Sequence, residues 1–138
     1  MSETQVRPDR LQAFQDLEEL LDSIGESIDV VVVEGTRDEE AMRQLGFKGR
    51  VELHSRVGCS DEDLVDKLAS RDRSVLVLTD FDSEGRAMNR KLTAAFERSG
   101  LKVEINLRRA IGRMMAVLGV YAIEDLENIG SRLTERSI

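Results

Sequence analysis

Apolar residues recur every third or fourth position from Leu11 onward, at Leu11, Phe14, Leu17, Leu20, Leu21 and Ile24. That is the spacing of one helical face, and it predicts an amphipathic helix over 10–24. Pro8 and Asp9 suit its start and Gly25 its end. The pattern then changes. Val30 to Val33 is an unbroken β-branched run, and Val75 to Leu78 is a second apolar run without polar alternation. Both predict strands buried on two faces of a parallel sheet, over about 29–34 and 74–79. Between them, Thr36 with Glu39 reads as a capping box for a helix over about 37–45 that Gly46 stops. A short strand over 50–53 follows, and Ser60 with Asp63 caps a helix to about Ser70. Ser83 suits the cap of a helix over about 84–99, with Ala87, Met88, Leu92, Ala95 and Phe96 as its buried stripe and Gly100 as its stop. A fourth strand over 102–106 and two short helices, 108–118 and 123–133, broken at Gly119, complete the chain. Alternating strands and helices in 138 residues predict a single α/β domain, with a central, mostly parallel four-stranded sheet flanked by helices. The stripe of the first helix either covers one face of the sheet or serves a homodimer.

Both apolar runs end in acids. Val75–Leu78 leads through Thr79 to Asp80, Asp82 and Glu84, and Val30–Val33 leads to Glu34 and Gly35. Ligands of open α/β sheets bind beyond the carboxyl ends of the strands, so acids placed there are set to meet something rather than to pack. If the two strands are neighbours, their ends lie roughly 5 Å apart and Glu34 comes within reach of whatever Asp80 and Asp82 hold. Hard carboxylate oxygens at that place suit Mg²⁺, or Mn²⁺, which keeps waters and takes one or two carboxylates beside substrate phosphates. Gly35 and Gly85, next to the acids at helix starts, permit a phosphate to approach the backbone near a positive helix end. Asp61, Glu62, Asp63 and Asp66 also crowd a helix start, where the macrodipole alone accounts for them.

The run Val32-Val33-Glu34-Gly35-Thr36-Arg37-Asp38-Glu39, followed in order by Leu78-Thr79-Asp80-Phe81-Asp82-Ser83-Glu84-Gly85, resembles the Toprim domain shared by topoisomerases, bacterial-type primases, overcoming-lysogenization-type nucleases and 5S rRNA maturation ribonucleases. The resemblance covers about 29–106 and implies a Toprim, Rossmann-like fold. It also implies the general acid or base role for Glu34 and a magnesium site at Asp80 and Asp82, with Glu84 matching the third acid of the topoisomerase form. Arg86 stands where that form has a further glutamate, which departs from a topoisomerase-like use of the motif.

Composition narrows the function further. One cysteine, Cys59, allows no intrachain disulfide, and with one histidine, His54, the four Cys/His ligands of a structural zinc are absent. Primases of the resembling family commonly rely on such a zinc module. No apolar run approaches the ~20 residues of a bilayer span, and charges interrupt the N-terminal segment, so a cytoplasmic, membrane-free protein is expected. The net charge of −7 speaks superficially against nucleic acid, yet Arg86 to Arg113 holds eight basic residues against two acids. Arg86, Arg108 and Arg109 are candidate phosphate clamps, with Arg86 equally suited to neutralising Asp82 or Glu84. His54, at a strand end, either touches substrate or is a satisfied loop residue; Tyr121 reads as core.

These residues together point to Mg²⁺-dependent phosphoryl transfer on nucleic acid, with a nuclease acting on RNA or DNA as the leading expectation. Two rivals stand beside it: a non-catalytic Toprim module binding nucleic acid or a partner in a replication or RNA-processing complex, and a primase-related activity. A phosphoacceptor receiver domain would want paired acids after the first strand and a lysine after a late one; Glu34-Gly35 and Lys102 fit neither demand.

Overall fold

In a computed structural model the described residues are 2–55 and 58–137, with side chains described over 9–55 and 58–133. The elements are α1 (Ser2–Ile24), β1 (Val30–Val33), α2 (Thr36–Gln44), β2 (Val51–Leu53), α3 (Asp61–Ala69), β3 (Ser74–Val77), α4 (Ser83–Arg98), β4 (Lys102–Val103), α5 (Ile105–Leu118), a 3-10 turn at Ile123–Asp125 and α6 (Leu126–Ser137). The sheet order is β2-β1-β3-β4, and every pairing is parallel. The α/β sheet flanked by helices therefore stands as expected.

Alternation along the two central strands divides the core. Val31, Val33, Leu76 and Leu78 face α1, α2, α5 and α6, while Val30, Val32, Val75 and Val77 face α3 and α4. Both faces of β1 and β3 are covered, which is why Val30–Val33 and Val75–Val77 hold no polar residue. The stripe of α1 is spent inside the chain: Phe14, Leu17, Leu21 and Ile24 are buried in the first of these layers, and α1 packs against α5.

Four boundaries differ from the sequence pattern, each for a physical reason. Helix α1 extends back to Ser2, past Pro8; proline supplies no N–H, so the turn there has one backbone bond fewer. Helix α2 is capped from Gly35, not Thr36: Asp38 accepts the Gly35 N–H at 3.0 Å. Helix α4 is capped by Asp82 rather than Ser83, with Asp82 Oδ1 accepting the Gly85 N–H at 2.8 Å. Strand β4 keeps only Lys102 and Val103, and α5 begins at Ile105. A two-residue edge strand has one neighbour to bond, and the helical spacing of Ile111, Met115 and Leu118 claims the chain beyond it. The cap of α3 is as the sequence predicts, with Ser60 and Asp63 exchanging bonds at 3.1 and 3.2 Å.

Candidate functional site

The chain leaves β1 toward α2 on one face of the sheet and leaves β3 toward α4 on the other. The gap above β1 and β3 is thus the switch point at which doubly wound sheets bind ligands. Val32 pairs with Val77, which sets Glu34 level with Thr79, one residue before Asp80. From there Glu34 Oε2 accepts the Asp80 N–H at 2.7 Å. Two strand ends are joined by a carboxylate.

The loop that follows is fixed from several sides. Asp80 Oδ1 accepts the Ile123 N–H at 3.3 Å, and the Phe81 N–H donates to the Tyr121 carbonyl at 2.7 Å. The C-terminal segment thereby forms one wall of the site. Thr79 is fully buried and its hydroxyl donates to the Gly85 carbonyl at 2.6 Å. Helix α4 therefore starts tight against the end of β3. Gly85 is what permits it, because a Cβ there would collide with the Asp80 carbonyl oxygen. The close approach expected of Gly85 is an approach to the protein's own backbone. Gly85→Ala must push α4 off this joint, and a stability loss of about 1–3 kcal/mol is expected on thermal melting; an unshifted melt would mean the joint is loose.

Electrostatically the acids form one group. Burial pushes the Asp80 carboxyl up to about 6, and Glu34, Asp38 and Asp82 add to that, with the Ile123 N–H pulling the other way. Asp38 is buried and raised too, by burial first and then by Glu34 and Glu124, against its bonds to Gly35 and Glu124. Sequence reasoning assigned Asp38 no site role; its signal is an acid three residues after the Glu34-Gly35 pair that follows an apolar run. An aspartate whose folded pKa is raised holds its proton more tightly in the folded chain, so ionising it opposes folding. The cost is absent below about pH 4, grows as pH rises toward 6 and is complete above that. Partial exposure reduces it to roughly 1–2 kcal/mol. Asp80→Asn keeps the acceptor for Ile123, and is expected to raise the melting temperature by about 3–8 °C at pH 8 in chelator and to leave it unchanged at pH 4. Equal melting at pH 8 would show the charge to be neutralised by other means.

Arg108 is the fourth residue of α5, which starts three residues before the predicted helix, and it is 8% exposed. Its Nη1 donates to the carbonyls of Val77 and Thr79 at 3.1 and 2.8 Å and to the Thr79 hydroxyl at 3.3 Å, and its Nη2 to the Asp80 carbonyl at 3.2 Å. The guanidinium lies over the Phe81 ring, 4.2 Å from its centre. Burial first, then Arg86, lowers its pKa to about 10, opposed by Asp80 and Glu34; it stays charged at neutral pH. Arg86 and Arg109 are exposed, as are Asp82 and Glu84. The Glu84 carboxylate has no hydrogen-bond or ion-pair partner among the described residues. His54 is the satisfied residue of its two readings, with Nε2 2.7 Å from Asp61 Oδ1. Tyr121 is 63% exposed, not core.

The structure thus brings Glu34, Asp80 and Asp38 together, with Asp82 close enough to act on Asp80. Among the described residues no three His, Cys, Asp or Glu side chains are grouped tightly enough to hold a metal ion by themselves. The donor set still suits Mg²⁺, because the acids around Asp80 hold its carboxyl raised even with the Arg108 guanidinium nearby, and this ion needs only one or two carboxylates.

A family model described as the Toprim domain matches residues 29–106. A UPF0292 protein of Pyrococcus abyssi is 32% identical over 123 residues, covering 89% of this chain and 90% of that one. Another, from Thermococcus sibiricus, is 35% identical over 113 residues, covering 82% and 86%. A third, from Methanosarcina barkeri, is 27% identical over 133 residues, covering 96% and 91%. Among solved structures, a putative protein from Aquifex aeolicus has the same fold, with a TM-score of 0.67 at 24% identity over 80% of this chain and 95% of that one. No helix among the described residues is long and apolar enough to cross a membrane. With a matched segment running from the start of β1 to the start of α5 and holding both acidic strand ends, this chain belongs to the Toprim domain family.

Proposed function

We propose that the protein is a Mg²⁺-dependent nuclease, cleaving phosphodiester bonds of RNA or DNA at the gap above β1 and β3. The observation that carries this reading is the contact of Glu34 with Asp80 across two strands, at 2.7 Å, beside a carboxyl raised to about 6. A phosphodiester and several carboxylates repel one another unless a divalent cation sits among them. Asp80 and Asp82 would hold Mg²⁺, or Mn²⁺, with Glu84 within a turn of them. When bound, the ion supplies polarisation of a phosphoryl oxygen and stabilisation of developing negative charge.

The chain's own residues do the rest. Glu34 anchors through Oε2 on the Asp80 N–H, leaving Oε1 to take or give the proton of the attacking or leaving oxygen. Gly35 leaves the backbone beside Glu34 open to a phosphate, and Gly85 lets α4 start tight against the end of β3. Arg86 and Arg109, both exposed, hold phosphates. Arg108 acts from behind, fixing the carbonyls on which the loop hangs.

The second reading, a non-catalytic Toprim module binding nucleic acid or a partner, is favoured by the lack of three grouped ligands among the described residues. One experiment separates them. Structured RNA, single-stranded DNA and supercoiled DNA are incubated with Mg²⁺ or Mn²⁺ and with chelator, beside Glu34→Gln and Asp80→Asn. Metal-dependent cleavage lost in both variants is the expected result. No turnover on any substrate, with metal still raising the melting temperature, would establish the module instead.

A further inference from the structure

A cleft lies between α4 and α5, at the edge where β4 is only two residues long. One helical stripe of α4 and one of α5 face each other across about 630 Å³, with Val77, Val103 and Phe81 as apolar floor. That volume falls within the range of small-ligand sites, about 300–1,000 Å³. Phe81 links the cleft to the acids, being the residue after Asp80. Its ring packs flush on Gly112, where a Cβ would stand 2.8 Å from it. Four arginines rim the opening: Arg86, Arg90, Arg109 and Arg113. All four are exposed, and among the described residues none has an ion-pair partner, whereas Arg43, Arg50 and Arg71 each pair with an acid. Beside them Tyr121 and Ile105 are 63% and 41% exposed. The lining also holds two acids. Glu97 is three turns along α4 from Arg86, and Glu104 is held by Lys102 at 3.5 Å.

An unneutralised arginine rim on a chain of net charge −7 calls for an anionic occupant. An apolar floor with an exposed tyrosine calls for a flat, apolar face on that occupant. A duplex offers phosphates but keeps its base faces stacked inside; an unpaired strand offers both together. We propose that this cleft binds a single-stranded stretch of nucleic acid, one base lying on Tyr121 and its phosphates following Arg86, Arg90, Arg109 and Arg113 toward the acids. The inference rests on the nucleic-acid reading above and deepens it: the substrate is unpaired where it enters the site.

The test is binding in chelator, so that no cleavage intervenes, of a short labelled oligouridylate and of an RNA duplex of equal length. The chain has one tyrosine and no tryptophan, so its intrinsic emission reports Tyr121 directly. The single strand is expected to quench that emission and to bind at least about tenfold tighter than the duplex. Tyr121→Ala is expected to weaken single-strand binding by about 5- to 150-fold, the effect of one stacked base. Arg109→Ala with Arg113→Ala should flatten the salt dependence of binding by about two phosphate contacts. All these side chains are exposed, and melting curves verify that the variants are folded. Equal affinity for duplex and single strand, or binding indifferent to Tyr121→Ala, overturns the proposal. So does a homodimer that Tyr121→Ala disperses while oligonucleotide binding is kept, since the cleft would then be a face between copies. Binding through Tyr121 without cleavage of any substrate in metal leaves this inference standing and removes the nuclease; cleavage that needs Glu34 but not Tyr121 does the reverse.

Discussion

Glu34→Gln is expected to lower the rate of metal-dependent cleavage by about 10²- to 10⁴-fold, the usual worth of a positioned acid or base, with the fold intact. The geometry makes this substitution unusually clean. In the native chain one carboxylate oxygen accepts the Asp80 N–H at 2.7 Å. The glutamine amide oxygen accepts the same bond, so the joint between β1 and β3 stays closed and only the oxygen proposed to move the proton is lost. A second consequence follows from charge. Glu34 is the leading charge that raises Asp80, after burial, so removing it lets Asp80 ionise at lower pH. Metal binding by the variant, followed by thermal shift at pH 5 to 6, is therefore expected to be no weaker than in the native chain. Asp82→Asn should behave in the opposite way, losing metal affinity along with rate and regaining part of the rate at higher Mg²⁺. A Glu34→Gln protein that cleaves at the native rate would move the proton transfer to another group, with Asp38 the nearest buried acid.

The readable parts of this molecule were those in which burial and chemistry left a local mark. Strands β1 and β3 are covered on both faces, so the runs Val30–Val33 and Val75–Leu78 are unbroken, and the acids after each run fall at the switch point because sheet order brings them side by side. The family match then covers the segment that carries those two runs. What escaped was decided by tertiary contact. Val103 and Ile105 alternate like a strand, but only Val103 finds a neighbour in the sheet, and the helical period beyond it wins. Moving that boundary carries Arg108 from the first residue of the predicted helix to the fourth of α5, where it is buried against carbonyls. Charge on an arginine predicts exposure, and nothing near position 108 marks the exception. Tyr121 went the other way. Its apolar neighbours suggest core, yet Val120 and Ile123 turn inward while the ring stays on the rim of the cleft. The helix starts at Gly35 and Asp82 each fall one residue before the predicted cap, because both segments offer several residues able to cap and the packing of Asp38 and Gly85 chooses among them.

Arg108→Met should be the most damaging change outside the acids. The side chain's length and much of its apolar contact are kept, but the donors to Val77, Thr79 and Asp80 are lost, as is the cation over the Phe81 ring. Buried carbonyls left without donors cost about 1–3 kcal/mol each. Part of that is returned, because holding a guanidinium in this place is itself unfavourable, as its pKa near 10 indicates. A net loss of about 2–4 kcal/mol is expected, seen as a fall in melting temperature on the order of 10 °C. Arg108→Lys separates charge from geometry. Its ammonium restores the cation but is a compact point charge that cannot span the carbonyls of Val77 and Asp80 together, so it should recover less than half of the loss. Loosening this anchor also frees the Asp80–Phe81 segment, and cleavage should fall further than stability alone requires at temperatures where the variant is still folded. Were Arg108→Met to melt with the native protein, the end of β3 would be held by the C-terminal segment instead, through the Phe81 N–H on Tyr121 and the Ile123 N–H on Asp80. In that case Val120 to Ile123, rather than the arginine, would set the position of the acids.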